Sequence, residues 1–178
     1  NVFANLSPET CIIKVTDNNG CSTTKAIVVE EADKIVVSHQ IVNDVYCKGG
    51  NTGAVDFTVS NYITAGDYTF NLTMGATTIS SFTQNGDIIS YTGLTEGNYT
   101  FTVIDDVSGC SAAVNFTINE PAVALSSTSV ATNINCNEDN ATITITATGG
   151  TGSYRYAVAK AGDPAPTSFV TSNQLTVD

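Results

Sequence analysis

The chain has 178 residues, of which 17 are acidic and 6 are basic, giving a formal net charge of −11. This charge argues against binding to nucleic acid or to an anionic membrane surface, because both would repel the chain. The longest apolar run, residues 26–29, is far shorter than the roughly 20 apolar residues that a membrane-spanning helix needs. We therefore expect no nucleic acid partner and no insertion into a membrane.

The residue pattern is that of an all-β protein. Only 13% of the residues are charged, while Thr, Ser, Asn, Val and Ile dominate, which suits exposed strand faces covered by hydroxyl groups. No window has the periodicity of a helix. Apolar and polar side chains instead alternate, and this alternation predicts strands with one buried face.

The front of the chain is predicted to form a β-hairpin. A strand through Ile13 and Val15 leads to a turn that begins at Asp17, and a second apolar run follows Cys21. Asp, Asn and Gly favour such turns for backbone reasons. A single hairpin cannot bury a full core, so we expect residues 1–33 to be the last strands of a larger unit.

Residues 34–122 are predicted to form a complete β-sandwich unit. The first strand begins at Ile35 and is expected to bend near residues 38–40, and a glycine-rich turn follows at residues 47–53. Residues 77–89 are the least regular part and are predicted to form one or two short strands. The predicted inward-facing residues of the two strands between these segments are Val55, Phe57, Val59, Tyr68, Phe70 and Leu72.

The segment 93–110 contains the clearest structural signature. Its Leu-x-x-Gly-x-Tyr order resembles the tyrosine corner of Greek-key sandwiches, in which a tyrosine fixes the approach to the penultimate strand. An alternating run follows, then an Asp-rich turn, then a second alternating run, which together predict a hairpin. The predicted structural residues of the corner and the turn are Leu94, Gly97, Tyr99 and Gly109.

Two cysteine landmarks recur at a spacing of 89 residues (110 − 21 and 136 − 47). Fixed-period similarity predicts a tandem array, here of immunoglobulin-like Greek-key β-sandwich repeats with a period of 89 residues. Glu120 and Pro121 mark a short boundary, because proline cannot donate to a continuing strand ladder. The outer units then lack strands, so either the protein continues or a partner completes their sheets. Residues 1–33 are predicted to be the C-terminal part of a first repeat. Residues 34–122 are predicted to be a complete central repeat, and residues 123–178 the N-terminal part of a third.

The cysteines fit disulfides better than metal ligands, because the chain has no Cys-x-x-Cys pair and a single histidine. Disulfides imply an oxidising, extracellular compartment. Pairing Cys110 with Cys136, and so Cys21 with Cys47, requires the chain to fold back near the proline boundary. Pairing Cys47 with Cys110 joins what are usually opposite ends of a sandwich. The connectivity stays open, and Cys11, which stands where the central unit has its corner tyrosine, has no assigned role.

No catalytic site can be assembled from the sequence, because His39 lies in a predicted strand with no Ser or Cys partner. We therefore predict no enzyme, no catalytic residue and no cofactor. Asp17 and Asp105, with their Asn and Asp neighbours, could supply oxygen ligands to Ca²⁺. The backbone preferences of hairpin turns explain these residues without a metal, so Ca²⁺ is kept only as an alternative.

The order of these motifs resembles the SprB repeat. The motifs are a Cys followed by Asn-x-Gly, then Gly-Gly-Thr-Gly-Ser-Tyr-x-Tyr at residues 149–156, Leu-x-x-Gly-x-Tyr at 94–99, Asp-x-x-Gly-Cys at 106–110, and Glu-Pro. SprB repeats build giant surface adhesins of gliding bacteria in the Bacteroidota. The resemblance implies a secreted, filament-like protein that is exported by the type IX route, carried along the cell surface and used to hold the substratum.

The expected function is a structural stalk segment of such an adhesin, with neighbouring repeats of the same chain as partners and surface polysaccharide or substratum as further ones. One alternative is a carbohydrate-binding module, which needs at least two exposed aromatic side chains side by side. Its candidate residues are Tyr62, Tyr68, Tyr91, Tyr154 and Tyr156. The other alternative is a filament subunit that assembles by strand complementation with a neighbour.

Overall fold

The computed structural model describes residues 2–31, 34–133 and 140–177. In this part of the chain, no helix is long and apolar enough to cross a membrane. The prediction of an all-β chain is confirmed. The strands are β1 (Glu9–Thr16), β2 (Ser22–Val29), β3 (Val36–Asn43), β4 (Gly53–Ser60), β5 (Tyr68–Met74), β6 (Thr77–Ile79), β7 (Phe82–Asn85), β8 (Ile88–Leu94), β9 (Gly97–Asp105), β10 (Ser111–Ile118), β11 (Ser126–Ala131), β12 (Ala141–Thr148) and β13 (Gln174–Val177).

Strands β3 to β10 form an antiparallel sandwich of two sheets, called here the central sandwich. One sheet has the strand order β3-β4-β8-β7 and the other has the order β10-β9-β5-β6. The chain crosses between the sheets after β4, β6 and β8, which is the connectivity of an immunoglobulin-like Greek-key sandwich. The predicted fold class is therefore confirmed, whereas the 89-residue period and the unit boundaries stay predictions.

Alternate side chains of the two sheets fill the core of the central sandwich. Phe57 of β4 stacks on Phe101 of β9, with 3.9 Å between the ring centroids, and both side chains are fully buried. Each such aromatic contributes about 1.5–3 kcal/mol relative to an exposed position. The core consists of Ile35, Val45, Val55, Phe57, Val59, Tyr68, Leu72, Ile89, Tyr91, Leu94, Tyr99, Phe101, Val103, Phe116 and Ile118.

The first strand of the sandwich bends later than its sequence predicts. The register of β3 against β4 shifts between Ile41 and Asn43, so the prediction of a bend at residues 38–40 is wrong. A β-bulge redirects the chain, and the Val45 N–H then donates to the carbonyl of Asn119, directly after β10, at 2.9 Å. The position of the bend is set by this contact with a strand that is distant in sequence.

The irregular segment between β5 and β8 contains two short strands, within the predicted range. Strand β6 pairs with β5, with Leu72 opposite Ile79, whereas β7 pairs with β8, with Phe82 opposite Tyr91. The chain therefore changes sheets between Ile79 and Phe82. This change leaves β6 and β7, which form one edge of each sheet, with three and four residues, and short edge strands limit pairing with other chains.

Two smaller β-structures flank the central sandwich in sequence. Strands β1 and β2 form a two-stranded hairpin, called here the N-terminal hairpin, and β11, β12 and β13 form a separate three-stranded sheet, called the C-terminal sheet. An isolated bridge joins Tyr156 to Val170 between β12 and β13. Val15 of the hairpin is 61% exposed, so the apolar face of the hairpin is largely uncovered.

Candidate functional site

The segment before β9 forms a corner that contains a buried tyrosine. Tyr99 is buried and donates its Oη hydrogen to the Thr95 carbonyl oxygen at 2.9 Å. Leu94 is buried at the end of β8. A Cβ atom at Gly97, whose φ is +154°, would lie 2.9 Å from Met74 Sδ. The positive φ favours glycine at this position, and the tyrosine two residues later fixes the corner through its hydroxyl bond.

The turn between β9 and β10 is organised by the Asp105 carboxylate. Its Oδ1 accepts hydrogen bonds from the N–H groups of Val107 and Ser108, at 2.9 and 2.7 Å, and its Oδ2 accepts one from Ile63 at 2.8 Å. Asp105 is only 1% exposed, and Gly109 completes the turn with a φ of +72°. These donors, the Ser108 N–H foremost, hold the pKa of Asp105 below its usual value. The carboxylate thereby joins the turn to the loop between β4 and β5.

In the turn between β1 and β2 an aspartate Oδ1 also accepts two backbone N–H bonds, but the second donor lies four residues after the aspartate rather than three. Asp17 Oδ1 accepts hydrogen bonds from the N–H groups of Asn19 and Cys21 at 2.9 and 2.8 Å, and Asp17 is exposed. By its hydrogen bonds Asp17 therefore corresponds to Asp105 rather than to Asp106. The β9–β10 turn contains one additional residue.

Glu120 connects the end of the central sandwich to the turn between β3 and β4. Its Oε2 accepts a hydrogen bond from the Gly49 N–H at 2.6 Å, and its Oε1 pairs with Lys48 Nζ at 2.7 Å. Both contacts hold the pKa of Glu120 below its usual value, with the Gly49 bond contributing most. Glu120, the residue before Pro121, is thus held against the β3–β4 turn of the sandwich.

The segment after Pro121 is attached to the glycine loop that follows β12. The Val123 carbonyl accepts a hydrogen bond from the Gly150 N–H at 2.9 Å. Gly149 has a φ of +78°, and a Cβ there would collide with the carbonyl of Ala124. The close approach of the two backbone segments therefore requires glycine at this position of the loop.

The described cysteines are free thiols. Cys21 and Cys47 are exposed in turns, Cys110 is half-buried before β10, and Cys11 is half-buried in β1. Cys136 lies outside the described residues. The turn that contains Cys47 contacts the chain after β10, whereas Cys110 precedes β10, so these two cysteines lie at opposite ends of the central sandwich. The disulfide assignments stay predictions.

The candidate tyrosines of the central sandwich serve its packing. Tyr91 and Tyr68 are buried, and burial raises the pKa of Tyr91 to about 12. The half-buried Tyr62 ring lies 5.4 Å from that of Tyr68. Tyr62 donates its Oη hydrogen to Asp87 Oδ2 at 2.6 Å, and this bond is the main reason that its pKa is raised.

The two candidate tyrosines beyond the sandwich are also half-buried. Tyr154 donates its Oη hydrogen to the Gly149 carbonyl at 2.7 Å, and Tyr156 pairs through its backbone with Val170. None of the five candidate tyrosines is exposed. The alternative of a carbohydrate-binding module, which needs exposed aromatic side chains side by side, therefore finds no support in these five residues.

The remaining chemical candidates also lie in packed or backbone-bonded positions. His39 is exposed on β3 and lies beside the ring of Phe116, with 5.4 Å between the ring centroids. In the described ranges, no three or more His, Cys, Asp or Glu side chains are grouped to hold a metal ion. The carboxylates of Asp17 and Asp105, the residues considered for Ca²⁺, accept backbone N–H bonds, and the Ca²⁺ alternative stays a prediction.

Comparison with known proteins gives a match to one family. Residues 128–160, which include β12 and the glycine loop, match the SprB repeat. No curated protein and no solved structure matches the chain. The resemblance predicted from the sequence is therefore confirmed for this stretch, which is similar to an adhesin-like structural repeat of cell-surface proteins.

Proposed function

We propose that the chain is a structural stalk segment of a secreted, filamentous cell-surface adhesin that serves gliding motility and surface attachment. The match of residues 128–160 to the SprB repeat is the observation that carries this proposal. In this role the chain performs no catalysis. It transmits tension and holds a distal adhesive tip away from the cell, with neighbouring repeats as its partners.

The strand pairing of the central sandwich supports this mechanical role. Its first strand, β3, pairs with β4, and its last strand, β10, pairs with β9 over eight residues. The ends of β3 and β10 are joined directly, because the Asn119 N–H donates to Asp44 Oδ1 at 2.9 Å. Tension applied to the two ends must therefore shear several hydrogen bonds together, which resists extension more than opening them one at a time.

The attachment of Glu120 to the β3–β4 turn supports a stiff connection at the end of the sandwich. The carboxylate holds the chain through Gly49 and Lys48 up to Pro121, whose ring fixes its own φ angle. Few backbone bonds between Glu120 and Val123, the next hydrogen-bonded residue, can then rotate freely. A stalk with such connections spaces its tip more effectively than a flexible linker.

We also propose that the cysteines at turns, Cys21, Cys47, Cys110 and Cys136, form disulfides in the extracellular medium. Peptide mapping of the secreted protein by mass spectrometry without reductant would identify the joined pairs. Free thiols at all four positions would overturn this part of the proposal.

Replacement of the segment in the parent protein tests the stalk proposal. We expect cells that carry an unrelated pair of rigid β-sandwiches in place of residues 1–178 to keep gliding and surface attachment, because a stalk contributes length and stiffness. A flexible Gly/Ser linker with the same number of residues is the matched control, and it should impair both. Antibodies against the segment should label intact cells.

Two results would contradict this proposal. If the rigid replacement abolishes attachment while the parent protein still reaches the surface, the segment itself binds the substratum. If intact cells are not labelled although lysed cells are, the location at the cell surface is wrong.

A further inference from the structure

Asn19 and Asn85 are each followed by glycine in the sequence. The side-chain amide of an asparagine can be attacked by the backbone nitrogen of the next residue, and glycine, which has no Cβ atom, hinders this attack least. The reaction removes the amide and is called deamidation. Its rate in a folded chain depends on whether the attacking nitrogen is free and on whether the local backbone can rearrange. The two turns differ in these respects.

The turn that contains Asn19 holds the attacking nitrogen in a hydrogen bond. The Gly20 N–H donates to the Asp17 carbonyl at 3.2 Å, and the Asn19 N–H donates to Asp17 Oδ1 at 2.9 Å. The Gly20 nitrogen must lose its proton before it attacks, and both its hydrogen bond and the nearby carboxylate charge oppose that loss. The contacts of Asp17 therefore protect Asn19.

The turn between β7 and β8 leaves the corresponding nitrogen free. Asn85 and Gly86 are exposed, and within the described residues the Gly86 N–H donates no hydrogen bond. Gly86 has a φ of +60°, and a Cβ atom at this position would meet nothing within 4 Å. The surroundings of Gly86 therefore have room for a ring that includes its nitrogen.

The strand that carries Asn85 is one that opens at low cost. Strand β7 is an edge strand of four exposed residues, and Asn85 forms its last pair, with Ile88. Ring closure requires Asn85 to leave its extended conformation, which costs least at the end of a short edge strand. One side chain opposes this opening, because Gln84 Nε2 donates to the Gly86 carbonyl at 3.1 Å and to Tyr68 Oη at 3.2 Å.

We propose that Asn85 is a deamidation site of the folded chain and that Asn19 is protected. The Gly86 nitrogen loses its proton to solvent and attacks Asn85 Cγ. The bond from Cγ to Nδ2 breaks, and ammonia leaves after taking up a proton, which gives a five-membered succinimide ring. Water then adds to one of the two ring carbonyls, and ring opening gives either aspartate or isoaspartate, in which the backbone runs through Cγ. Water is the only co-reactant.

Isoaspartate at this position changes the contacts of the next turn residue. The Asp87 carbonyl accepts a hydrogen bond from the Val59 N–H at 3.1 Å, and Asp87 Oδ2 accepts one from Tyr62 Oη at 2.6 Å. Isoaspartate adds one carbon to the backbone beside a two-residue turn, so Asp87 cannot keep its position relative to both strands. The modification therefore loosens the attachment of this turn to β4 and to the loop that follows β4.

The inference goes beyond the stalk function and does not rest on it. Deamidation needs the folded chain and water, whether or not the chain reaches the cell surface. Its test is therefore made on the purified 178-residue chain, and neither result affects the cellular replacement experiment.

The test compares the two asparagines in one sample. The chain is kept in warm, mildly alkaline buffer, and peptide mapping by mass spectrometry follows the conversion of each site. We expect Asn85 to convert at least about fivefold faster than Asn19, the factor that corresponds to one net hydrogen bond of ~1 kcal/mol. Enzymatic methylation of the free α-carboxylate identifies isoaspartate. The chain unfolded in denaturant is the matched control, and there the two sites should convert at similar rates, because glycine follows both.

Two variants sharpen the comparison. Asn85→Gln should stop conversion at this position, because glutamine has to close a larger ring. Gln84→Ala frees the turn from its two side-chain bonds, so conversion of Asn85 should accelerate by about fivefold while that of Asn19 stays unchanged. In the isoaspartate form, the Val59 amide proton should lose protection in hydrogen exchange followed by NMR.

Three outcomes would overturn the proposal. The first is a folded chain in which Asn19 converts as fast as Asn85 or faster. The second is an Asn85 that stays unconverted in the folded chain over a time in which the unfolded chain converts completely. The third is an unfolded chain that shows the same preference for Asn85 as the folded chain, because the preference then comes from the neighbouring sequence and not from the hydrogen bonds of the two turns.

Discussion

The β9–β10 and β1–β2 hairpins share a turn and differ in what surrounds them. In both turns an aspartate Oδ1 accepts two backbone N–H bonds. In the first hairpin a second sheet buries Val103 completely, whereas the corresponding Val15 is 61% exposed. Local sequence is thus sufficient for the turn and the pairing, while burial, and most of the stability that comes with it, depends on a partner sheet.

The largest expected difference between the hairpins is at their matched core positions. We expect Phe101→Ala to destabilise the central sandwich by about 3–5 kcal/mol, because it removes a fully buried ring that stacks on Phe57 and leaves a cavity. Ile13→Ala at the corresponding position should leave the sandwich unchanged. Urea unfolding followed by tyrosine fluorescence measures both, since Tyr46, Tyr62, Tyr68, Tyr91 and Tyr99 report on the sandwich.

An effect of Ile13→Ala above about 1 kcal/mol in a monomeric sample would show that the N-terminal hairpin is stabilised by the sandwich within one chain. The packing around the N-terminal hairpin would then resemble that around the β9–β10 hairpin more closely than the exposed fractions of Val15 and Val103 indicate.

The second largest difference is expected at the two turn aspartates. Asn in place of Asp105 can keep the bonds from Val107 and Ser108, but its NH₂ group would face the Ile63 N–H and lose that bond. We expect Asp105→Asn to lower the midpoint of thermal unfolding by roughly 5–10 °C. Differential scanning calorimetry at neutral pH measures the shift, and an unchanged midpoint would contradict the role of the Ile63 bond.

The same variant gives a pH dependence of known sign. The folded-state pKa of Asp105 lies below its unfolded value, so its stabilisation is fully present above about pH 4 and is lost as the pH falls through the folded-state pKa. The difference in unfolding midpoint between the unmodified chain and Asp105→Asn should therefore be constant above about pH 5 and shrink below pH 4. A difference that grows on acidification would mean that the folded-state pKa is raised.

These pairs also show what a single sequence could and could not predict. The alternation that begins at Tyr99 was sufficient to place Phe101 and Val103 in the core, because side chains of a strand alternate between its two faces. The burial of Asp105 had no such signal, since its donor Ile63 is 42 residues away. The bond between Glu120 and Gly49 spans 71 residues and was likewise not predictable.

The same limit explains the errors made from local pattern. The bend of β3 was misplaced because the segment after the bulge bonds to Asn119, which is distant in sequence. The tyrosines considered for a sugar platform alternate as core residues do, and the sequence left both interpretations open. Packing in the sandwich core decided this for Tyr68 and Tyr91, and the bond to Asp87 did so for Tyr62.

A smaller effect is expected at the corner that only one hairpin has. Tyr99→Phe removes the bond to the Thr95 carbonyl and keeps the ring stacked on Phe116, so we expect a loss of about 1 kcal/mol in urea unfolding. Thr95→Ala is the matched control, because the acceptor is a backbone carbonyl that this change leaves in place. If the control destabilises as much as Tyr99→Phe, the threonine side chain rather than the corner bond stabilises this segment. The N-terminal hairpin has Cys11 at the matching position and has no equivalent bond to lose.

The smallest expected effect is that of Asp17→Asn. The bonds from Asn19 and Cys21 both end on Oδ1, which the amide oxygen of asparagine can replace, and Oδ2 of this exposed residue has no donor corresponding to Ile63. We therefore expect the two amide protons to keep their exchange protection in hydrogen exchange followed by NMR, within about twofold. A large loss of protection would show that the charge of Asp17, and not the geometry of its Oδ1, maintains the turn. The effect of Asp105→Asn would then have to be re-examined for a contribution of charge beside the third hydrogen bond, because both aspartates accept two backbone N–H bonds on Oδ1.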